Sequence, residues 1–116
     1  MKLEALDHVA LSVHDIEHSA QWYIDVLGFE RQHAGKWNGI PVFVGKDEFG
    51  IALFPLGSHP RRAMEKGSAA ILHFAFRTSR QNFVAAQDAL KRRELPFDFE
   101  DHEIAHSIYF RDPDGH

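Results

Sequence analysis

From Leu6 to Val13 apolar positions alternate with His8, Ala10 and Ser12, the period-2 pattern of a strand with one buried face. Asp15 then offers a side-chain acceptor for the first turn of a helix. Ile16, Ala20, Tyr23 and Leu27 recur at helical spacing, and Gly28 supplies a left-handed stop. Three short runs follow, Phe29 to Gln32, Ile40 to Val44 and Gly50 to Leu56. Gly39, Gly45 to Glu48 and Pro55 to Pro60 punctuate them with turn residues. The first half therefore predicts β-α-β-β-β.

From Pro55 to Gly67 the periodicity lapses. Gly57, Ser58, Pro60 and Gly67 interrupt it, while Arg61, Arg62, Glu65 and Lys66 keep the stretch solvated. The pattern then restarts. Ile71 to Phe76 predicts a strand around His73, and Thr78 with Gln81 predicts a capping box. Phe83, Ala86 and Leu90 give a helical face, which Lys91, Arg92 and Arg93 close with charges suited to the helix dipole before Pro96. Phe97 to Phe99 and Ser107 to Phe110 predict short strands, and Asp112-Pro113-Asp114-Gly115 has the chemistry of a tight turn. Setting His8 against His73 aligns Leu6-Asp7-His8-Val9-Ala10-Leu11 with Ile71-Leu72-His73-Phe74-Ala75-Phe76 and brings the two helices into register. The expected organisation is one α+β domain, 1–116. It comprises a βαβββ module at 1–57, a linker at 58–68 and a second module at 69–116 that stops before its last strand.

Composition narrows the chemistry. A chain of 116 residues with 44% hydrophobic and 26% charged side chains can bury a core without disulfides. The net charge of -4 and the scattered bases offer no stripe along which a nucleic acid could lie. The charged amino terminus, and apolar runs far short of the roughly 18 residues that span a bilayer, leave no membrane partner and predict a cytoplasmic protein. The absence of cysteine excludes thiol catalysis and thiolate ligands, so any metal is held by nitrogen and oxygen. Nine histidines then become the main chemical resource.

His8 and His73 occupy equivalent positions of repeated strands. They would face one another if those strands adjoin at the centre of a joint sheet, where a metal ion could join two imidazoles and a carboxylate. His14-Asp15-Ile16-Glu17-His18 has the H-x-x-E-H spacing of some zinc peptidases, but His14 precedes the helix cap and cannot share a helical face with His18. His102 and His106, in the acidic stretch Asp98 to Glu103 and just beyond it, read as solvated loop residues. Ser107 and Tyr109 share one strand face, opposite Ile108 and Phe110. If that face lines a site, Ser107 is a hydrogen-bond donor to substrate and Tyr109 a general acid. Trp22 and Trp37 read as packing or dimer-contact residues.

Taken in order, Leu6-Asp7-His8-Val9-Ala10-Leu11-Ser12-Val13, Trp22-Tyr23-x-x-x-Leu27-Gly28-Phe29, His73-Phe74-Ala75-Phe76 and Tyr109-Phe110-x-Asp112-Pro113-Asp114-Gly115-His116 resemble the vicinal oxygen chelate superfamily of glyoxalases, bleomycin-resistance proteins and extradiol dioxygenases. The resemblance implies paired βαβββ modules in a curved mixed sheet, usually within a homodimer. It also implies one divalent metal ion per site (Fe, Zn, Ni, Mn or Co) chelating adjacent oxygens of a small-molecule substrate. His8 and His73 match two of the metal ligands. The third, a glutamate in the strand after Asp-Pro-Asp-Gly-His, is expected beyond His116. Ala52 stands where four-ligand glyoxalase I members carry a glutamate, which favours a three-ligand site. Fosfomycin-resistance thiol transferases match at His8, His73 and the tail, but the position of their substrate-binding Thr is Ala10. Ring-cleaving dioxygenases add a catalytic histidine to which no residue is assigned here.

The function expected is that of a divalent-metal-dependent enzyme, a lyase, isomerase, transferase or dioxygenase, in which the ion acts as a Lewis acid. Phe43, Phe54 and Ser107 are the expected substrate contacts. The alternative is a metal-free dimer, like the bleomycin-resistance proteins, that sequesters a ligand in a groove lined by Phe43, Phe54, Phe76 and Tyr109. A third possibility is an interaction domain that kept the fold without the chemistry.

Overall fold

The computed structural model of the chain describes residues 1–58 and 71–116; apart from Ser58, the expected linker 58–68 lies outside them. The chain divides into two compact units, Met1–Arg62 with Asp112–Asp114, and Ala63–Arg111 with Gly115–His116.

The first unit is a βαβββ module: β1 (His8–Val13), α1 (Ile16–Leu27), β2 (Glu30–Gln32), β3 (Val42–Lys46) and β4 (Phe49–Pro55). Its mixed sheet has the order β1-β4-β3-β2. β1 runs parallel to β4, with His8 opposite Gly50 and Val13 opposite Pro55, whereas β3 pairs antiparallel with both β4 and β2. Parallel pairing needs a crossover, which α1, β2 and β3 supply. Alternation then separates the two faces of the sheet. Val13, Val44, Ile51 and Leu53 form a fully buried layer on the face that packs against α1, where Ala20 and Tyr23 are also buried. Burying an aliphatic side chain of this size stabilises by roughly 1.5–3 kcal/mol, so this layer is the main source of cohesion in the module. The opposite face carries His8, Ala10, Ser12, Gly50, Ala52, Phe54, Gly45, Phe43 and Gln32.

Both ends of α1 follow the expected chemistry. Asp15 is extended and accepts a hydrogen bond from His18 N at 2.9 Å. Gly28, at φ 69°, donates to Ile24 O at 3.0 Å. The turn segment Asp112–Asp114 belongs to this unit. The Tyr23 hydroxyl donates to Asp112 at 2.8 Å, and Asp114 accepts from Ser19 Oγ at 3.1 Å and His14 N at 3.0 Å.

The second unit contains α2 (Arg80–Arg92) and an antiparallel pair, β5 (Asp98–Asp101) and β6 (His106–Tyr109), with Asp98 opposite Tyr109. Two expectations are corrected. Residues 71–76 join no strand ladder among the described residues. In the first module β1 is a strand through its pairing with β4, and residues 71–76 have no such pairing among the described residues. The helix cap is Ser79 rather than Thr78: its side chain accepts from Asn82 N at 3.2 Å. Phe83 of α2 lies 6.3 Å from Phe99 between ring centroids, which puts Phe99 and Ile108 on the helix-facing side of the pair. Glu100, Ser107 and Tyr109 occupy the other side. In each unit, therefore, the helix takes one face and the chemistry-bearing residues take the other. No helix among the described residues is long and apolar enough to cross a membrane.

Candidate metal and substrate site

In the first unit β1 sets His8 at the start of the sheet, on the face away from α1. Its Nδ1 lies 2.5 Å from Asp7 Oδ2. A carboxylate is an acceptor, so Nδ1 is the donor of this bond and Nε2 is the nitrogen left for a metal. Metal-binding histidines are commonly oriented in this way, with one nitrogen donating to a carboxylate. The ring keeps an edge contact with Phe43 at 5.2 Å, and its side chain is 42% exposed. Beside His8 the face is low. A Cβ at Gly50 would meet Gln32 Oε1 at 3.0 Å, and one at Gly45 would meet it at 2.8 Å, so the bare backbone is what admits the Gln32 side chain across the sheet. Phe54 shares this face toward the end of β4.

Phe43 has further neighbours that the sequence pattern does not reveal. His33 and Trp37 lie 5.3 Å and 5.4 Å from it. Trp37, read from the sequence as a packing or dimer-contact residue, is 54% exposed beside Phe43. The available signal is that alternation puts Phe43 on the His8 face. The backbone of the loop that returns His33 and Trp37 to it is not periodic.

In the second unit Tyr109 is the centre of a polar cluster. Its ring makes an edge contact with His73 at 5.4 Å. Its hydroxyl shares a hydrogen bond of 3.1 Å with His102 Nε2, and Glu100 Oε2 lies 3.4 Å from the same nitrogen. His102 is an exposed loop residue, as read from the sequence, and its ring nonetheless meets Tyr109. The turn after β5, with His102 N donating to Ala105 O at 2.9 Å, brings its ring back to Tyr109. His106 does not join it. It lies against Phe99 at 5.3 Å, on the other face, with Asp101 at 3.6 Å. Ser107 stands opposite Glu100 on the Tyr109 face.

The H-x-x-E-H stretch is taken apart, as expected from the helix cap. His14 Nδ1 lies 2.5 Å from Asp114, Glu17 pairs with Arg31, and His18 N donates to the cap. Burial opposes ionisation of Asp114, but the bonds from the His14 side chain, the His14 backbone and Ser19 outweigh it and hold the carboxyl below its ordinary range.

Among the described residues no three His, Asp or Glu side chains gather into a metal-binding group. The donor chemistry nevertheless fits a metal in part. His8 has an oriented imidazole, and His73 is a second imidazole on the corresponding segment of the other unit.

Comparison with known proteins gives a consistent family. Residues 5–116 match the family model described as the Glyoxalase/Bleomycin resistance protein/Dioxygenase superfamily. Metallothiol transferase FosB of Staphylococcus epidermidis is 29% identical over 122 residues, covering 100% of this chain and 80% of that protein. Biphenyl-2,3-diol 1,2-dioxygenase 3 of Rhodococcus globerulus is 32% identical over 117 residues, covering 95% of this chain but 58% of that enzyme. The crystal structure of lactoylglutathione lyase from Agrobacterium tumefaciens superposes with a TM-score of 0.77 at 23% identity, over 99% of this chain and 90% of that one, a likeness of fold.

Proposed function

Because the chain belongs to the Glyoxalase/Bleomycin resistance protein/Dioxygenase superfamily, we propose that it is a divalent-metal-dependent enzyme acting on a small substrate with adjacent oxygens. His8 and His73 hold the ion. When bound, the ion supplies Lewis-acid polarisation of the substrate oxygens. Tyr109 holds a proton at Oη for transfer to or from a substrate oxygen, and His102 fixes the direction of that hydroxyl. Ser107 donates a hydrogen bond to substrate, and Phe43 and Phe54 pack against its apolar part. The modules 1–57 and 69–116 act within a homodimer.

One observation carries the enzyme reading. The Tyr109 hydroxyl is bonded to His102 at 3.1 Å while its ring touches His73 at 5.4 Å. A proton-bearing group held beside an expected ligand serves turnover, and a protein that only sequesters its ligand has no need of it. The metal-free reading draws its support from the rings gathered on Phe43, which would suit a ligand held by stacking alone.

Elemental analysis of the untagged gene product beside the His8→Ala, His73→Ala double variant separates the two. About one transition metal per chain, lost in the double variant, supports the enzyme. Metal retained in the double variant overturns the ligand assignment. Absence of metal from both proteins, even after incubation with Fe, Zn, Ni, Mn and Co, favours the sequestering dimer.

A further inference from the structure

We propose that Glu100 is a positioning residue that acts on Tyr109 through His102: its carboxylate keeps the imidazole proton on Nε2, which leaves the Tyr109 hydroxyl proton free for a substrate oxygen. This rests on the reading of Tyr109 as the proton-bearing group and adds the residue that sets its hydrogen bonding.

The register of the β5–β6 pair lays out the arrangement. Asp98 stands opposite Tyr109 and Glu100 opposite Ser107, so alternation puts all four on one face. His102 follows β5 and is returned to that face by a fastened turn. Glu103, at φ 67°, donates from its backbone N to Asp101 Oδ1 at 2.8 Å. His102 N donates to Ala105 O at 2.9 Å, and Ile104 N donates to His102 O at 2.8 Å. The His102 ring then meets Tyr109 edge-on at 6.2 Å between centroids, with Nε2 3.1 Å from the hydroxyl oxygen. Glu100 Oε2 lies 3.4 Å from the same nitrogen. Asp101, the next carboxylate along the strand, lies instead 3.6 Å from His106.

One nitrogen thus faces two oxygens, and it carries either a proton or a lone pair. With a lone pair on Nε2, the phenol donates its proton to the ring, and the same lone pair stands against a carboxylate, acceptor to acceptor. With the proton on Nε2, both oxygens are met as acceptors, and the negative charge of Glu100 favours this form further. The His102 and Glu100 side chains are 41% and 55% exposed, so their pairing is screened and adds little to stability. A tautomer balance asks for less, because a small energy difference is already a several-fold ratio.

The consequence falls on Tyr109. Its oxygen accepts from His102, and its own O–H is directed away from the ring. When that proton passes to a substrate oxygen, the Tyr109 O–H bond breaks and an O–H bond forms on the substrate. The phenolate left behind keeps the Nε2–H donor, and a bond to a charged acceptor is stronger than one to a neutral phenol, so the transfer is favoured. In the opposite tautomer the ring holds the phenol proton, and the phenolate has no donor.

The test labels the full chain with nitrogen-15 and reads His102 by long-range proton–nitrogen correlation NMR at about pH 8, above the ordinary range of imidazole titration. The Nε2–H form is expected to predominate. Glu100→Gln, which keeps the size of the side chain and removes its charge, should lower the ratio of Nε2–H to Nδ1–H by about fivefold. Ser107→Ala, an uncharged change opposite Glu100, should leave the ratio unaltered, and so should Tyr109→Phe, because the carboxylate rather than the phenol sets it. A proton on Nδ1 in the unaltered protein, an unchanged ratio in Glu100→Gln, or an equal drop in Ser107→Ala or Tyr109→Phe overturns the assignment. The measurement needs neither metal nor substrate. Absence of metal therefore defeats the enzyme reading by itself, while the tautomer decides the role of Glu100 separately.

Discussion

The Tyr23 hydroxyl donates to Asp112 Oδ2 at 2.8 Å, tying α1 to a turn 89 residues later in the chain. Tyr23 is 2% exposed and Asp112 9%, so neither group has bulk water as a substitute. Burial, followed by the bond to Asp112, pushes the Tyr23 phenol far above its ordinary range, which keeps it a donor. Tyr23→Phe removes one of the donors to a buried carboxylate. The expected cost is about 1–3 kcal/mol, read as a lower urea midpoint with an unchanged slope.

Asp114 gives the same turn a pH dependence. Its carboxyl is held below its ordinary value of 3.8, so it binds fewer protons in the folded state than in the unfolded state. Its contribution is therefore fully present above the unfolded value and is lost as pH falls through the lower folded value. Asp114→Asn should lower stability at pH 7 by about 1–2 kcal/mol and make a shrinking difference as pH falls below the ordinary carboxylate value, flattening the acid limb of the stability curve. His14→Ala should do less, because the His14 side chain is 81% exposed and its pairing is screened. Chemical denaturation between pH 2 and 7 checks both.

Gly45 and Gly50 predict a graded effect. A methyl at Gly45 would lie 2.3 Å from the Phe49 carbonyl oxygen, which the β3–β4 pairing fixes, whereas at Gly50 the nearest contacts are 3.0 Å. Gly45→Ala must move backbone and should cost about 2–3 kcal/mol, in the range of overpacking. Gly50→Ala can be relieved in part by the Gln32 side chain and should cost less. Adding Gln32→Ala to Gly50→Ala should recover part of the loss, and adding it to Gly45→Ala should recover little. Thermal melts of the five proteins decide this.

What the sequence discloses follows the range of the forces involved. The β-α-β-β-β order is legible because period-2 alternation, the Asp15 cap and the Gly28 stop act over a few residues. Alternation within a strand is legible too, grouping His8 with Ala10 and Ser12, and Tyr109 with Ser107, whereas the register between strands is what puts Phe43 and Phe54 on the His8 face. The segment 71–76 has the same local pattern as β1, but strand formation needs a partner, and a pattern cannot say whether one is present. Thr78 and Ser79 are both competent caps, and their order along the chain does not decide between them. The contacts His102–Tyr109 and Trp37–Phe43 depend on turns in which Glu103, Trp37 and Asn38 take positive φ; Asn38, before Gly39, is suited to that conformation, but Glu103 and Trp37 do not advertise it.

Asp7 offers the sharpest test of how His8 is prepared for a metal. Its carboxylate holds the imidazole through Nδ1 at 2.5 Å, and both effects expected of such a partner, orientation and greater basicity of Nε2, require that contact. Asp7→Asn keeps an acceptor but loses the charge, and Asp7→Ala loses both. The Asp7 side chain is 86% exposed, so the effect belongs at the low end of what removing such partners costs. Metal affinity measured by competition with a chelator should fall by about tenfold in Asp7→Ala and by less in Asp7→Asn. Equal affinity in all three proteins would mean that the Asp7–His8 bond only tethers the chain at the entrance to β1. In that case Asp7→Ala should lower the melting temperature of the metal-free protein, a change that the ligand-preparing role does not require.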